Sequence, residues 1–198
     1  MSRSPLSIPA KALAVLAAGL IALSFLFPLW SMTMVAPMYP DGLHLHVFAN
    51  RFGGSNDPNV NDLAEINTLN HYIGMAELHA ENFPELKILP VAFALAFLLA
   101  LLAAFRSSKR LLWLTLTVLG VVGAGGLMTA YLRLYQYGHH LDPLAPVKVD
   151  PFTPVMLGTN ALANFVTTGY FNVGGYLMMA ACALIAASAF LPSKRVSP

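Results

Sequence analysis

Four uncharged apolar runs constrain this chain more than any other feature. Ala12–Trp30, Ile88–Phe105, Leu111–Leu132 and Val173–Leu191 contain no Asp, Glu, Lys or Arg. A helix needs about 20 mostly apolar residues to cross a bilayer. The runs therefore predict spans over about 12–31, 88–105, 111–134 and 173–191. Composition agrees. Only 10% of the 198 residues are charged, where a soluble domain carries about 25%. Four spans leave two loops, 32–87 and 135–172, and no room for a separate soluble domain. The sequence thus reads as one membrane domain over 1–198.

The charges sort by side. Arg3, Lys11, Arg106, Lys109, Arg110, Lys194 and Arg195 fall on one side of a four-span thread. The other side receives Arg51, Lys87, Arg133 and Lys148, together with all nine acids and all six histidines. Basic residues favour the cytoplasmic side, so both termini are expected there and loops 32–87 and 135–172 outside. The expected fold class is an all-α membrane protein. It has four transmembrane helices and a small extracytoplasmic cap, containing one short surface helix and room for a short β segment.

Within the first loop, Leu43-His44-Leu45-His46-Val47-Phe48 alternates strictly, which as a strand puts His44 and His46 on one face. Residues 50–61, with Gly53-Gly54 and Pro58, read as a loop. A helix is expected from Asp62, with Glu65 three residues on resembling a capping box. Leu63, Ile66, Leu69, Tyr72 and Ile73 supply its apolar stripe, and Gly74 its stop. Asn67, Asn70 and His71 share its polar side. The glycines at 120, 123, 125 and 126 would let another helix approach the third span closely. Residues 151–193 carry no charge, more than one span needs, so 156–168 is expected to form an interfacial or re-entrant helix with Asn160 and Asn164 on one face.

Several chemistries are excluded. One cysteine, Cys182, cannot form a disulfide within the chain or serve a thiol-exchange pair, and no Cys-x-x-Cys-His attaches haem. There is no P-loop, no dinucleotide-binding glycine pattern and no basic patch for nucleic acid. No span carries a charge at its middle, which argues against ion transport. No nucleophile–base–acid set is discernible, so an enzyme is the lesser expectation. The candidate chemistry is a metal site in the outer loops, built from His44, His46, His71, Met75, His139 and His140. Imidazole and thioether together suit copper. His71 and Met75, four apart, would share a face if the helix continued past Gly74. The structural alternative is that these are ordinary hydrogen-bonding loop residues, and that Asn67 and Asn70 serve the backbone of neighbouring loops. Haem at the outer surface between His71 and His139 or His140, or a quinone near Tyr135, Tyr137 and His139, are lesser options.

Four motifs carry a resemblance: Met38-Tyr39-Pro40-x-Gly42-Leu43-x-Leu45-His46, Glu65-Ile66-Asn67-x-Leu69-Asn70-His71-Tyr72-Ile73-Gly74-Met75, Pro151-Phe152-Thr153-Pro154 and Gly174-Gly175-Tyr176. Together they resemble a group of small four-span bacterial membrane proteins associated with nitrous-oxide reductase and copper maturation. The resemblance implies a bacterial inner-membrane location and a periplasmic cap. It also implies a copper-binding or copper-passing accessory role toward a membrane or periplasmic redox enzyme. It assigns no catalytic or binding residues. The rival expectation is a metal-free structural subunit or assembly factor of a redox complex.

Overall fold

A computed structural model describes residues 6–55, 57, 59–162 and 164–192. Arg3, Lys194 and Arg195 of the charge argument, and Pro58 of the first loop, lie outside the described residues. Among those described, the helices are α1 (Ile8–Ser24), α2 (Asp62–Tyr72), α3 (Glu85–Arg106), α4 (Lys109–His139) and α5 (Val173–Phe190). The strands are β1 (Trp30–Ala36), β2 (Tyr39–Val47), β3 (Phe52–Gly53), β4 (Gly158–Leu162) and β5 (Phe165–Phe171).

α3, α4 and α5 are long and apolar enough to cross a membrane; α1 is apolar but has 17 residues. The four helices contact in a ring, α1 against α3 and α5, and α4 against α3 and α5. Their shared core is alanine-rich: Ala10, Ala14, Ala17, Ala96, Ala100, Ala103 and Ala181 are fully buried. Small side chains let the backbones approach closely, as helix packing in lipid favours. The outward faces stay apolar, with Val91 69% and Val121 67% exposed.

The all-α expectation is overturned. A five-stranded antiparallel sheet, in the order β3-β2-β1-β5-β4, sits at one end of the helices. The first span does not run to 31. α1 stops at Ser24, and the uncharged stretch behind it becomes β1, the centre of the sheet. The expected helix over 156–168 is instead the β4–β5 hairpin. Asn160 lies in β4 and Asn164 in the turn, so they share no helical face. Val166, Thr167, Thr168 and Tyr170 are residues that suit a pleated surface better than a helix.

The sheet is two-faced. Trp30, Met32, Met34, Leu45, Val47 and Phe171 look toward the helices, while Ser31, Thr33, His44, His46, Thr168 and Tyr170 alternate onto the other side. α2 packs on the apolar face, burying Ile66 against Met32, Leu43 and Leu45. Its N-cap is Asn61, whose side chain accepts from the Ala64 amide at 3.3 Å. The expected Asp62–Glu65 capping box is absent among the described residues. Asp62 turns inward, and Glu65 accepts from the Tyr39 hydroxyl.

Gly174 and Gly175 weld helix to sheet. A Cβ on Gly174 would stand 2.5 Å from the Phe27 carbonyl oxygen and 2.8 Å from that of Pro28. The Gly174 amide donates to Pro28 at 2.9 Å, so the start of α5 is satisfied by the connection leaving α1.

Candidate functional site

Between the apolar face of the sheet and the adjoining ends of α3, α4 and α5 lies a chamber of about 570 Å3. Each wall follows from local sequence. The roof is the alternating apolar set of β1, β2 and β5. α2 closes one flank with Ile66, Leu69 and Ile73. Phe152, Pro154, Val155 and Met156 cross beneath the sheet and form another wall. That segment is held by two glycines. The Phe152 amide donates to Gly138 at 3.0 Å, where a Cβ would collide with the Phe152 carbonyl. A Cβ on Gly169 would come within 2.6 Å of the Met156 oxygen. The Trp30 indole then donates to that same oxygen at 2.7 Å.

Six of the nine methionines line the chamber: Met32, Met34, Met75, Met156, Met178 and Met179. Thioether chains are flexible and polarisable, and walls made of them adapt to irregular apolar ligands. The polar groups are few. Glu85 and Arg133 stand together in the wall, with Arg133 Nε and Nη2 each 3.4 Å from Glu85 Oε1. Phe83 braces them, its ring under the Arg133 guanidinium at 5.3 Å and edge-on to Phe52 at 4.9 Å. Glu85 Oε2 is shielded from solvent and has no hydrogen-bond partner.

The chamber is open sideways between α4 and α5. Leu127 and Met179 both line it and are 44% and 46% exposed. The two helices meet at their far ends, where Trp113 packs edge-on against Phe190 at 5.3 Å. The expectation that Gly120, Gly123, Gly125 and Gly126 seat a neighbouring helix is not met. A Cβ on any of them meets nothing within 4 Å. Two of them, Gly123 and Gly126, line the chamber instead.

The expected metal residues divide into four places. His44 and His46 are side by side on the polar face of β2, their rings nearly parallel with centroids 6.2 Å apart. His46 Nδ1 lies 2.8 Å from Ser31 Oγ, which also accepts from the Asn172 side-chain amide at 2.7 Å. His44 Nδ1 is 3.3 Å from Thr33 Oγ1. Burial pushes the His46 pKa below its usual range, and the neighbouring His44 adds to this against the pull of Asp62. His71 is exposed on α2, which packs on the opposite face of the sheet, so it does not join the pair. Met75 lines the chamber. It cannot share a helical face with His71, because α2 ends at Tyr72 and Gly74 turns the chain with φ +80°. His139 stacks on Tyr135 at 3.8 Å and its Nδ1 lies 3.0 Å from the Tyr135 oxygen, while His140 Nδ1 lies 3.2 Å from that of Gln136. Among the described residues no three His, Cys, Asp or Glu side chains gather as a metal-binding group.

The asparagines of the central motif serve neighbouring backbone. Asn67 accepts from the Leu78 amide at 2.7 Å, and Asn70 donates to the Ala76 oxygen at 3.4 Å. Gly74 is fastened to the second outer segment by the Asp142 amide, which donates to its oxygen at 2.8 Å. Sequence reasoning missed the chamber's polar pair. Glu85 and Arg133 stood at the ends of two different spans, with nothing in the order of residues to join them.

A scan against protein-family models finds no match, and a search of curated proteins finds none either.

Proposed function

We propose that this chain is a membrane-embedded binding protein that takes a long-chain amphiphile from the bilayer and holds it beneath a polar-faced sheet. The chamber carries this reading. About 570 Å3 of apolar space opens between α4 and α5, and apolar surface is stabilised when apolar groups rather than water cover it. A ligand or lipid chain meets that demand. The chamber's size lies within the range of small-molecule sites, its lining is apolar with few polar groups, and its opening faces the side where lipid would lie. We propose that the sheet lies outside and both termini are cytoplasmic, on the distribution of basic residues, and that the membrane is a bacterial inner membrane, as the resemblance implies.

The test is solvent extraction and mass spectrometry of the protein purified in lipid nanodiscs, beside a Gly123→Leu/Gly126→Leu variant that fills the chamber. The parent should retain one apolar component in stoichiometric amount, and the variant should lose it while keeping its circular dichroism. A parent carrying only bulk lipid would overturn the reading. Copper in place of lipid would replace it, since the six thioethers are soft donors.

A second reading, copper passing toward a redox enzyme, is favoured by the His44–His46 pair. Both Nδ1 atoms face hydroxyls, as metal-ligating imidazoles are commonly oriented by a hydrogen bond from the other ring nitrogen. Asp41 and Asp57 share a cleft with His44 and would attract a cation. Copper bound by the parent should then be lost in His44→Ala/His46→Ala and kept in His71→Ala.

A further inference from the structure

The geometry of Glu85 points to the chemistry of the ligand's head. Resting on the ligand-chamber reading above, we propose that the bound amphiphile carries a neutral hydroxyl head, and that Glu85 Oε2 accepts its hydrogen bond.

The argument begins with an unfilled valence. A carboxylate presents about four acceptor sites on two oxygens. Arg133 approaches only Oε1, and at 3.4 Å from each of two nitrogens, the long end of hydrogen bonding. Oε2 is shielded from solvent and has no partner among the described residues, although the side chain as a whole is 26% exposed. Shielded acceptors are nearly always satisfied, and leaving one bare costs free energy. An ordered water needs two to four polar partners, and the adjoining chamber is almost wholly apolar. A group at the end of the ligand answers both needs. It fills the void and completes the carboxylate.

Charge narrows the class. Glu85 and Arg133 already neutralise each other. A cationic head at Oε2 would sit close to the guanidinium, and an anionic head would meet the carboxylate; like charges a few ångströms apart in low dielectric repel strongly. A carbonyl or ether head offers Oε2 no hydrogen. A neutral O–H donor meets every requirement at once. The remaining wall then selects the tail. Phe93, Leu119, Met178 and Cys182 extend the chamber away from Glu85 along the helices, and the gap between Leu127 and Met179 admits a chain from the side.

The test uses a matched pair of ligands and a built-in reporter. The chain has two tryptophans; Trp30 lines the chamber and Trp113 lies at the far end of α4. In a Trp113→Phe background in nanodiscs, Trp30 fluorescence is titrated with 12-bromododecanol and with its methyl ether. The bromine quenches the indole at close range, and the two ligands differ only in the methyl group that replaces the hydroxyl proton. Both should quench, the alcohol with roughly tenfold higher affinity, as expected for a hydrogen bond to a charged group. In Glu85→Leu/Arg133→Leu, which removes both charges and strands neither, the alcohol should fall to the affinity of the ether while the ether stays unchanged. Equal affinity of alcohol and ether for the parent overturns the assignment of the head and leaves the chamber reading intact. Quenching by neither overturns both.

Discussion

Asp62 Oδ1 accepts the backbone amide of His44 at 2.7 Å, tying the first residue of α2 to the middle of β2. Its other oxygen accepts from the Ser55 amide at 2.8 Å and the Ser55 hydroxyl at 2.6 Å. The carboxyl is only 2% exposed. Gly54 makes room for it, since a Cβ there would stand 2.6 Å from Oδ2. Asp62→Ala strands three donors and should cost about 3 kcal/mol or more, read as a fall in the thermal midpoint. Asp62→Asn, which keeps an acceptor, should fall between the two.

The same contacts set an acid limit. Burial works to raise the Asp62 pKa, but the Ser55 hydroxyl and the His44 and Ser55 amides outweigh it and hold the carboxyl below its ordinary 3.8. A depressed carboxyl contributes stability that is whole above its unfolded pKa and lost as pH falls through the folded one. His46 acts in the same direction, because its folded pKa lies below 6.5 and protonation is disfavoured in the fold. Thermal midpoints measured from pH 8 downward should begin to fall beneath about pH 6.5 and fall again beneath about pH 4. His46→Gln should abolish the first step and leave the second. A midpoint flat between pH 7 and 5 would contradict this account of His46.

Two glycines should answer alanine with opposite signs. Gly174 is enclosed by the carbonyl oxygens of Phe27, Pro28 and Ser24 at 2.5–3.0 Å from a would-be Cβ. Backbone cannot yield as a side chain does, so Gly174→Ala should cost about 3 kcal/mol and loosen the junction of α5 with the sheet. Gly125 meets nothing, and Gly125→Ala should stabilise α4 by about 0.5–1 kcal/mol. Thermal midpoints of the two variants side by side decide the point.

The proposed orientation is open to chemical labelling. In a Cys182→Ala background, Asn59→Cys near the start of α2 should react with a membrane-impermeant maleimide added to sealed spheroplasts. Ser108→Cys, in the turn between α3 and α4, should react only after lysis. The reverse pattern would invert the topology.

The helices α3, α4 and α5, long and apolar enough to cross a membrane, were legible to within a few residues at most ends, because length and absence of charge are properties of the chain alone. α1 was not. Trp30 to Ala36 is as uncharged as the helix before it, and only pairing with β2 and β5 makes it a strand. The β4–β5 hairpin was misread for a like reason: an uncharged run longer than one span was given to a helix, against the β-branched and aromatic residues from 165 to 171. Alternation at Leu43–Val47 did reveal that His44 and His46 share a face. His71 and Met75 were paired by spacing, but the positive φ at Gly74 breaks the period between them. The chamber was beyond reach of any pattern, being assembled from nine elements and three connecting segments distant in sequence.

The order of strands has a bearing on how the molecule is made. β1 pairs on one side with β2, a few residues on, and on the other with β5, where Thr33 meets Thr168 across α2, α3 and α4. During synthesis the first hairpin is delivered long before its third partner exists. One edge of β1, with its row of unpaired amides and carbonyls, must wait through the synthesis of α3 and α4. An edge of that kind invites pairing with the wrong chain, and such late, distant closure is slow. Biogenesis rather than the finished fold is then the vulnerable stage, and a guardian for that strand during synthesis would matter more to yield than any stabilising substitution elsewhere.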